Sequence, residues 1–293
     1  MTTERPLPYI GISGVNNLKH NSNPENTGMQ YWLMDQFVWA GLDDESRQNQ
    51  RQLLLGVKAV HKTQYLDVEN KYGREWYPVG ADEFESSLDS GGIEALRTAQ
   101  IYFDADHVAD ADYRNEFIKR ICSRGYKWLN ALQFDLLPWH DNDTLLPFLE
   151  EVKQTTGHTI ILQAHGESMQ KLTPDGTIRK LGRYAQFLDY VLFDASHGKG
   201  LKLDTHSLLP FLDAAYGSTE LANVGFGVAG GLSADIVQDE LPKLLEKHGD
   251  ISWDAEGRLH KQCEDGTYEF DWAAAKQYLQ ASDAILRNST REV

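Results

Sequence analysis

The chain has 293 residues, and its composition, with 41% hydrophobic and 25% charged residues, is typical of a folded globular protein. Its formal charge of -16, from 44 acidic against 28 basic residues, argues against nucleic acid or an anionic membrane as a partner. Its two cysteines, Cys122 and Cys263, lack the paired spacing of a zinc or redox motif, so we expect free thiols and no structural metal.

The N-terminal segment MTTERPLPYI has no basic stretch that leads into an apolar run. No later stretch approaches the roughly 20 apolar residues that cross a bilayer. We therefore expect a cytoplasmic protein whose partner is a small molecule, not a membrane.

Eight short apolar runs follow one another along the chain, with helical patterns between them. From the fourth onward they recur about every 30 residues, which is the length of one βα unit. The runs are apolar almost throughout instead of alternating, as is typical of parallel strands buried on both faces. They are PYIGIS, LLLGVKAV, AQIYFDA, LNALQFD, HTIILQA, DYVLFD, NVGFGVA and DISWDA.

The segments between the runs carry apolar residues at helical spacing, as in SADIVQDELPKLLEKHG, where Ser233 is the expected N-cap and the helix is expected to end near Gly249. Eight strands with intervening helices predict a single (β/α)8 barrel over residues 1–293. A doubly wound sheet is the alternative, although no G-x-G-x-x-G follows the first run.

The first βα connection is enlarged, since about 40 residues separate the first two runs. It contains a polar loop, NNLKHNSNPENTG, and a predicted helix, MQYWLMDQFVWAG. The aromatic residues of that helix either pack against the barrel or face a ligand or the second subunit of a homodimer. They are Tyr31, Trp32, Phe37 and Trp39.

Polar and mostly acidic residues end the predicted strands, where barrels of this class place their ligands. Ionisable groups at the ends of buried strands are costly unless they are used or paired, so the cluster predicts a site. Each residue alone is equally explained by a cap on a neighbouring helix or loop. The strand ends are Ser13, His61 with Lys62, Asp104–His107, Gln133 with Asp135, Gln163 with His165, Asp194, and Asp254 with Glu256.

Gly230 and Gly231 stand where the seventh strand turns into a helix, in VAGGLS. Without side chains there, backbone N–H groups and the helix dipole face outward, which suits an anion. The loops after strands seven and eight are the usual phosphate site of these barrels, so this corner is a candidate phosphate site, although glycines are also needed merely to make a tight turn.

In order along the chain, these stretches resemble phosphoribosylanthranilate isomerase, a cofactor-free barrel enzyme of tryptophan biosynthesis. GISGV resembles the first-strand Lys-x-Cys-Gly-x of that family, and LQFD resembles its fourth-strand Val-Gln-Leu-His. VLFDASHGKG is similar to its Leu-Leu-Asp with a Gly-rich loop, and GVAGGLSADIV to its Leu-Ala-Gly-Gly-Leu with a helix. ISWDAEG stands at its eighth-strand Ser-Ser-Gly loop.

The resemblance implies that Asp194 is the general acid that opens a ribose ring, and that Ser13 stands where the family has its cysteine base. Because a serine hydroxyl has a far higher pKa than a thiol, Ser13 needs help as a base. His61, Asp135 or His165 is the expected substitute base. The expected substrate contacts are Arg74, for a carboxylate, with Gln133 and Lys199, and the expected phosphate contacts are Gly230, Gly231 and Gly257.

A second departure from the family is the acidic pair Asp254 and Glu256 at the phosphate loop. Like charges at close range repel by a few kcal/mol, about 4 at an effective dielectric of 20, so phosphate needs an offsetting cation. Lys199, Lys202 or Arg258 is the expected source.

The sequence therefore leaves three functions open, led by a cofactor-free acid/base enzyme for a small sugar-like or sugar-phosphate metabolite. The second is a metal-dependent barrel hydrolase or lyase, and the third a non-catalytic metabolite-binding barrel. A Schiff-base role for Lys58 or Lys62 is a minor alternative. The metal donors would come from Asp104, Asp106, His107, Asp135, His165, Asp194, Asp254 and Glu256.

Overall fold

Eight parallel strands close into a barrel in the order β1 to β8, with β1 hydrogen-bonded to β8. The structure is a computed structural model that describes residues 4–16, 37, 50–89, 95–135, 137, 144–165, 169–194 and 203–289. Closure confirms the predicted barrel and excludes the doubly wound sheet, whose two edge strands would stay unpaired. The strands are β1 (Tyr9–Ser13), β2 (Gln52–Val60), β3 (Leu96–Tyr102), β4 (Ala131–Phe134), β5 (Thr159–His165), β6 (Tyr190–Asp194), β7 (Gly225–Ala229) and β8 (Ser252–Ala255).

Helices follow the strands, and after β8 the chain forms a two-stranded antiparallel ribbon before the last helix. None of the described helices has the length and apolar character needed to cross a bilayer. The helices are α1 (His61–Gln64), α2 (Gly80–Asp89), α3 (Ala111–Gly125), α4 (Leu145–Thr156), α5 (Pro174–Gly182), α6 (Thr205–Tyr216), α7 (Ala234–Leu245) and α8 (Trp272–Ser289), and the ribbon strands are β9 (His260–Gln262) and β10 (Tyr268–Phe270).

Side-chain caps fix where several helices begin. The carboxylate of Asp110 accepts from the backbone N–H groups of Asp112 and Tyr113 at the start of α3. Ser233 precedes α7 as predicted, but its side chain makes no capping hydrogen bond. The helix ends at Leu245, four residues before Gly249, and a tighter turn follows it, in which Lys247 N donates to Leu244 O at 3.1 Å.

Two apolar layers hold the barrel together. The outward faces of the strands pack against the helices, and each fully buried Leu, Ile or Phe there stabilises the fold by about 1.5–3 kcal/mol. Phe37 is buried in this layer, which supports the packing interpretation for that residue. The other residues of the enlarged connection, 17–36 and 38–49, which include Tyr31, Trp32 and Trp39, lie outside the described residues.

The inside of the barrel changes character along its axis. A separate apolar cluster fills it, and the inward side chains nearer the carboxyl ends of the strands are polar and buried. Since side chains alternate between the two faces of a strand, every second residue of each strand enters this interior. The apolar cluster consists of Tyr9, Leu54, Leu96, Ala131, Ile161, Tyr190, Leu192 and Ala229.

Candidate active site

The hydroxyl of Ser13 donates to the carboxylate of Asp254, with distances of 2.8 Å to Oδ1 and 2.9 Å to Oδ2. Two glycines make room for this pair inside the barrel. A Cβ added at Gly11 would collide with Asp254, and one added at Gly56 would collide with Ser13. The carboxylate is thus built into the wall next to the position where the resembling family has its cysteine.

Burial raises the pKa of Asp254 well above its usual range, and the hydrogen bond from Ser13 only partly opposes this. The charges of Glu256, Asp135 and Asp194 raise that pKa further. A carboxyl group in this position holds its proton more tightly than an exposed one, so Asp254 is suited to donate a proton.

Asp135 follows β4 directly and is buried. Gln133 Nε2 donates to its Oδ1 at 2.9 Å. The Tyr102 hydroxyl also interacts with the Asp135 carboxyl group, but no donor in the described part of the chain makes a hydrogen bond of normal geometry to its Oδ2. Burial raises the pKa of Asp135 to about 7, against the opposing effects of Gln133, Tyr102 and Lys58. A general acid or base works best when its pKa lies near the pH of the reaction, so Asp135 has the proton affinity that such a group needs.

Lys58 and Glu256 form an ion pair with 2.7 Å between Nζ and Oε1, in which Lys58 is buried and the Glu256 side chain is 25% exposed. The pair lies at the carboxyl ends of the strands, in the mouth of the barrel that also contains Ser13, Asp135 and Asp254. Lys58 Nζ also donates to the Tyr102 hydroxyl at 3.3 Å and lies 4.5 Å from the centre of that ring. Trp76 Nε1 donates to Glu256 Oε1 at 3.2 Å. The rings of Trp76 and Tyr77 lie 5.4 Å and 5.2 Å from the ammonium, so three rings surround it.

This pair changes the expected charge balance of the phosphate loop. Burial lowers the pKa of Lys58, but Glu256 outweighs that effect and the net shift is upward. Burial raises the pKa of Glu256, and Lys58 outweighs it in turn, so the net shift is downward. The charge of Glu256 is therefore balanced by Lys58 on β2. A lysine with a raised pKa is a poor Schiff-base nucleophile, which argues against that alternative for Lys58.

Asp194 ends β6, and Gln163 Nε2 on β5 donates to its Oδ2 at 3.1 Å. Asp194 pairs in register with His165 on one side and with Ala229 on the other. Ala229 pairs in turn with Asp254, so the two aspartates flank one small side chain of β7. Asp194 and His165 are both 5% exposed.

Two expected site residues lie elsewhere. His61 packs outside the barrel against α3, where its Nδ1 lies 2.7 Å from the Tyr113 hydroxyl and its ring lies 5.7 Å from that of His107. Arg74 forms an ion pair with Glu83 of α2. The described side-chain contacts of His61 and Arg74 are therefore made with groups other than Asp254, Asp135 and Lys58.

The expected end of the third strand at Asp104–His107 is wrong. β3 ends at Tyr102, and these residues form a turn in which His107 N donates to Asp104 O at 3.1 Å. The carboxylate of Asp104 accepts from the backbone of Asp106 and lies 2.7 Å from Nδ1 of His107. These local hydrogen bonds explain the polar run without a ligand.

A stacked pair of rings covers one side of the mouth. Trp76, in the loop between α1 and α2, lies 4.7 Å from the ring of His260. The two ring nitrogens of His260 each lie 3.0 Å from a backbone carbonyl oxygen, one of Glu256 and one of Gly14. Burial lowers the pKa of His260, against the effect of those two contacts. The sequence signal for this cover was the aromatic loop YGREWYP after the second strand.

The glycines expected to bind phosphate lead into α7 and follow β8. Gly230 and Gly231 have φ values of 113° and 59°, which L side chains rarely adopt. A Cβ added at Gly257 would meet nothing within 4 Å. Lys199 and Lys202 lie outside the described residues.

In the part of the chain that the structure describes, no three His, Cys, Asp or Glu side chains are arranged to hold a metal ion. Both cysteines are free thiols, and burial raises the pKa of Cys122 to about 11. A thiol with so high a pKa is unreactive at neutral pH, so Cys122 adds no chemistry to the mouth.

Comparison with known proteins shows the fold alone. No protein-family profile and no curated protein sequence matches the chain. A GH113 beta-1,4-mannanase structure aligns with a TM-score of 0.55 and 8% identity over 97% of this chain and 99% of that chain. A phosphoribosyl anthranilate isomerase from Thermococcus kodakaraensis aligns with a TM-score of 0.50 and 11% identity over 96% and 100%.

A ribulose-1,5-bisphosphate carboxylase/oxygenase from Pyrococcus horikoshii OT3 has a TM-score of 0.50 and 15% identity, and it covers 97% of this chain. This chain spans 59% of the length of that one. At such low identities the likeness supports a TIM-barrel fold and carries no particular activity, because this fold hosts many unrelated reactions.

Proposed function

We propose that this TIM barrel, with its buried acidic mouth, is a cofactor-free enzyme that catalyses proton transfer to and from a small sugar-like metabolite. Asp135 carries the proposal. It lies at the carboxyl end of a barrel strand, one of its oxygens has no partner among the described residues, and burial raises its pKa to about 7. Such a group accepts and returns a proton at neutral pH.

The proposed general acid is Asp254, whose neighbour across Ala229 is Asp194. Burial and the charge of Asp194 favour the protonated form of Asp254, and Ser13 holds its carboxyl group in place. Asp135 follows β4 and Asp254 lies on β8, which are opposite walls of the closed barrel. A sugar ring between them meets a base on one side and an acid on the other.

The reaction that fits is the opening of a cyclic sugar. Asp135 Oδ2 takes the proton of the anomeric hydroxyl, and the electron pair of that O–H bond forms the new carbonyl. The bond between the anomeric carbon and the ring oxygen breaks, and the ring oxygen takes its proton from the carboxyl group of Asp254, which becomes a carboxylate. One proton leaves the substrate and one enters it, so the step needs no other reactant. Ser13 and His165 are the remaining residues of the proposed catalytic site.

A phosphate on the substrate would lie at the start of α7. Gly230 and Gly231 have the backbone conformation of a tight corner there, and Gly257 leaves space beside it. The ion pair with Lys58 removes the repulsion expected from Glu256. Lys199, five positions after the end of β6 in the sequence, is the proposed additional cation.

The test is the rate at which the α and β anomers of D-ribose 5-phosphate interconvert, measured by NMR exchange at pH 7. We expect the protein to accelerate the exchange and Asp135→Asn to lose at least about 100-fold of that acceleration. Asp112→Asn, an exposed aspartate on α3, is the matched control and keeps it. Exchange at the uncatalysed rate, or exchange unchanged by Asp135→Asn, would contradict the proposal. Binding without acceleration would favour a non-catalytic metabolite-binding barrel.

A further inference from the structure

We infer that Gln133 selects the substrate by accepting a hydrogen bond from the hydroxyl next to the anomeric carbon, so that the site takes 2-hydroxy sugars and rejects 2-deoxy sugars. The inference rests on the proposed function, because it concerns the same mouth and the same substrate carbon. It adds a substrate class and a specificity residue to that proposal.

The observation is a pair of unpartnered acceptors on one strand. Gln133 Oε1 and Asp135 Oδ2 are buried, and neither has a hydrogen-bond partner among the described residues. Gln133 is 1% exposed and Asp135 is 2% exposed. Buried polar atoms are nearly always satisfied in folded proteins, so two orphans side by side indicate a ligand that supplies the missing bonds.

The orientation of the Gln133 amide follows from its neighbour. Its Nε2 donates to Asp135 Oδ1 at 2.9 Å, and the reverse orientation would place two oxygens against each other. The carbonyl oxygen Oε1 must therefore face away from Asp135. Both unpartnered atoms are then acceptors, and a matching ligand must bring two donors. Sugar hydroxyls do so, whereas a phosphate dianion does not.

The two acceptors belong to side chains that are hydrogen-bonded to each other through their other polar atoms. If Asp135 Oδ2 takes the proton of the anomeric hydroxyl, the acceptor beside it faces the adjoining carbon of the ring. The hydroxyl on that carbon is the donor within reach of Gln133 Oε1. A 2-deoxy sugar leaves this buried acceptor unpaired. A site built to hydrogen-bond a substrate hydroxyl discriminates strongly against an analogue that lacks it.

Gln100 offers a matched comparison on the neighbouring strand. It is as buried as Gln133 and pairs with it in register between β3 and β4. Its Oε1 already accepts from the backbone N–H of Gly14 at 3.2 Å. The side-chain oxygen of Gln100 is therefore already hydrogen-bonded and does not require the sugar hydroxyl. Gln100 is otherwise like Gln133, with the same side chain and the same burial.

The experiment compares the binding of D-ribose 5-phosphate and 2-deoxy-D-ribose 5-phosphate by calorimetry, for the wild type, Gln133→Met and Gln100→Met. We expect the wild type to bind the first sugar at least about tenfold more tightly. Gln133→Met reduces this preference to less than about threefold, and Gln100→Met keeps it. Thermal unfolding checks that each variant is folded.

Gln133→Asn is the second variant, because it keeps an amide but draws its oxygen back by one methylene group, and it is expected to weaken the preference without abolishing it. A wild type without the preference, or a Gln133→Met protein that keeps it, would overturn the inference while leaving the anomer exchange at Asp135 intact. Failure of both sugars to bind would also overturn it. Titration of Asp135, which needs no ligand, then decides separately whether the proposed chemistry stands.

Discussion

The hydroxyl of Ser13 and the carboxylate of Asp254 form one hydrogen-bonded unit at the ends of β1 and β8, with distances of 2.8 Å and 2.9 Å. In the family that the sequence resembles, a cysteine stands at this position. Here the pKa of the neighbouring carboxyl group is raised, and the serine donates a hydrogen bond to it. We therefore propose carboxyl groups as the proton-transfer groups of this barrel.

Removal of the serine hydroxyl tests that unit. The hydrogen bond from Ser13 lowers the pKa of Asp254 against the effect of burial, so Ser13→Ala is expected to raise the pKa of that carboxyl further. Carbon-13 NMR of the aspartate carboxyl groups measures the shift. An unchanged pKa of Asp254 in a folded Ser13→Ala protein would show that the Ser13 hydroxyl does not influence the protonation of that carboxyl group.

The two glycines beside this unit are expected to resist substitution. Gly11→Ala and Gly56→Ala each force a methyl group into Asp254 or Ser13, and such overpacking costs about 1–3 kcal/mol of the free energy of unfolding. Gly249→Ala is the control, since its added Cβ would meet only one backbone oxygen at 4.0 Å. Urea denaturation compares the three variants. Equal free energies of unfolding for the three variants would contradict the close packing of Gly11 and Gly56 against Asp254 and Ser13.

Lys58→Met is expected to destabilise the fold by about 3 kcal/mol, because it leaves the largely buried Glu256 without a counter-charge and with only the Trp76 hydrogen bond. The double variant Lys58→Met with Glu256→Gln removes both charges and recovers part of that loss. The single variant also raises the pKa of Asp135, since the ammonium favours its ionised form. Chemical denaturation at pH 7 measures the stability. A loss below about 0.5 kcal/mol would contradict a buried pair and match a solvated one.

The stability of the fold depends on pH through Asp135. Its pKa of about 7 in the folded protein exceeds the ordinary 3.8, so between these values the folded state binds more protons than the unfolded state. Stability contributed by this group therefore falls as the pH rises from about 4 to about 7, by at most about 4 kcal/mol. Glu256 acts in the opposite direction, because its pKa is lowered and its contribution is lost as the pH falls.

The difference between wild type and Asp135→Asn isolates the first of these effects. Denaturation at several pH values is expected to show that the variant gains relative stability as the pH rises toward 7. Parallel curves for the two proteins would mean that Asp135 titrates alike in the folded and unfolded states.

Much of the fold was readable from the sequence, because parallel strands buried on both faces are apolar almost throughout and their ends are polar. Ser13 and Asp194 indeed end β1 and β6. His61 was misplaced because β2 ends at Val60 and His61 already begins α1. The alternation of side chains along a strand stops there, so the helix and not the strand sets the direction of His61.

The ion pair of Lys58 and Glu256, and the stack of Trp76 on His260, could not be read in this way. Each joins segments far apart in the chain, and closure of the barrel alone brings β2 beside the loop after β8. The sequence showed an acidic loop and an aromatic loop. The neutralisation of Glu256 by Lys58 and the packing of Trp76 on His260 both depend on closure of the barrel.

The titration of the Asp135 carboxyl group tests the central claim most directly. Carbon-13 NMR follows it in the intact protein, with Asp135→Asn identifying its resonance. We predict a midpoint of about 7. A midpoint near the ordinary aspartate value of 3.8 would show that Asp135 is ionised throughout the neutral range, and the proposed base would then lack its proton affinity.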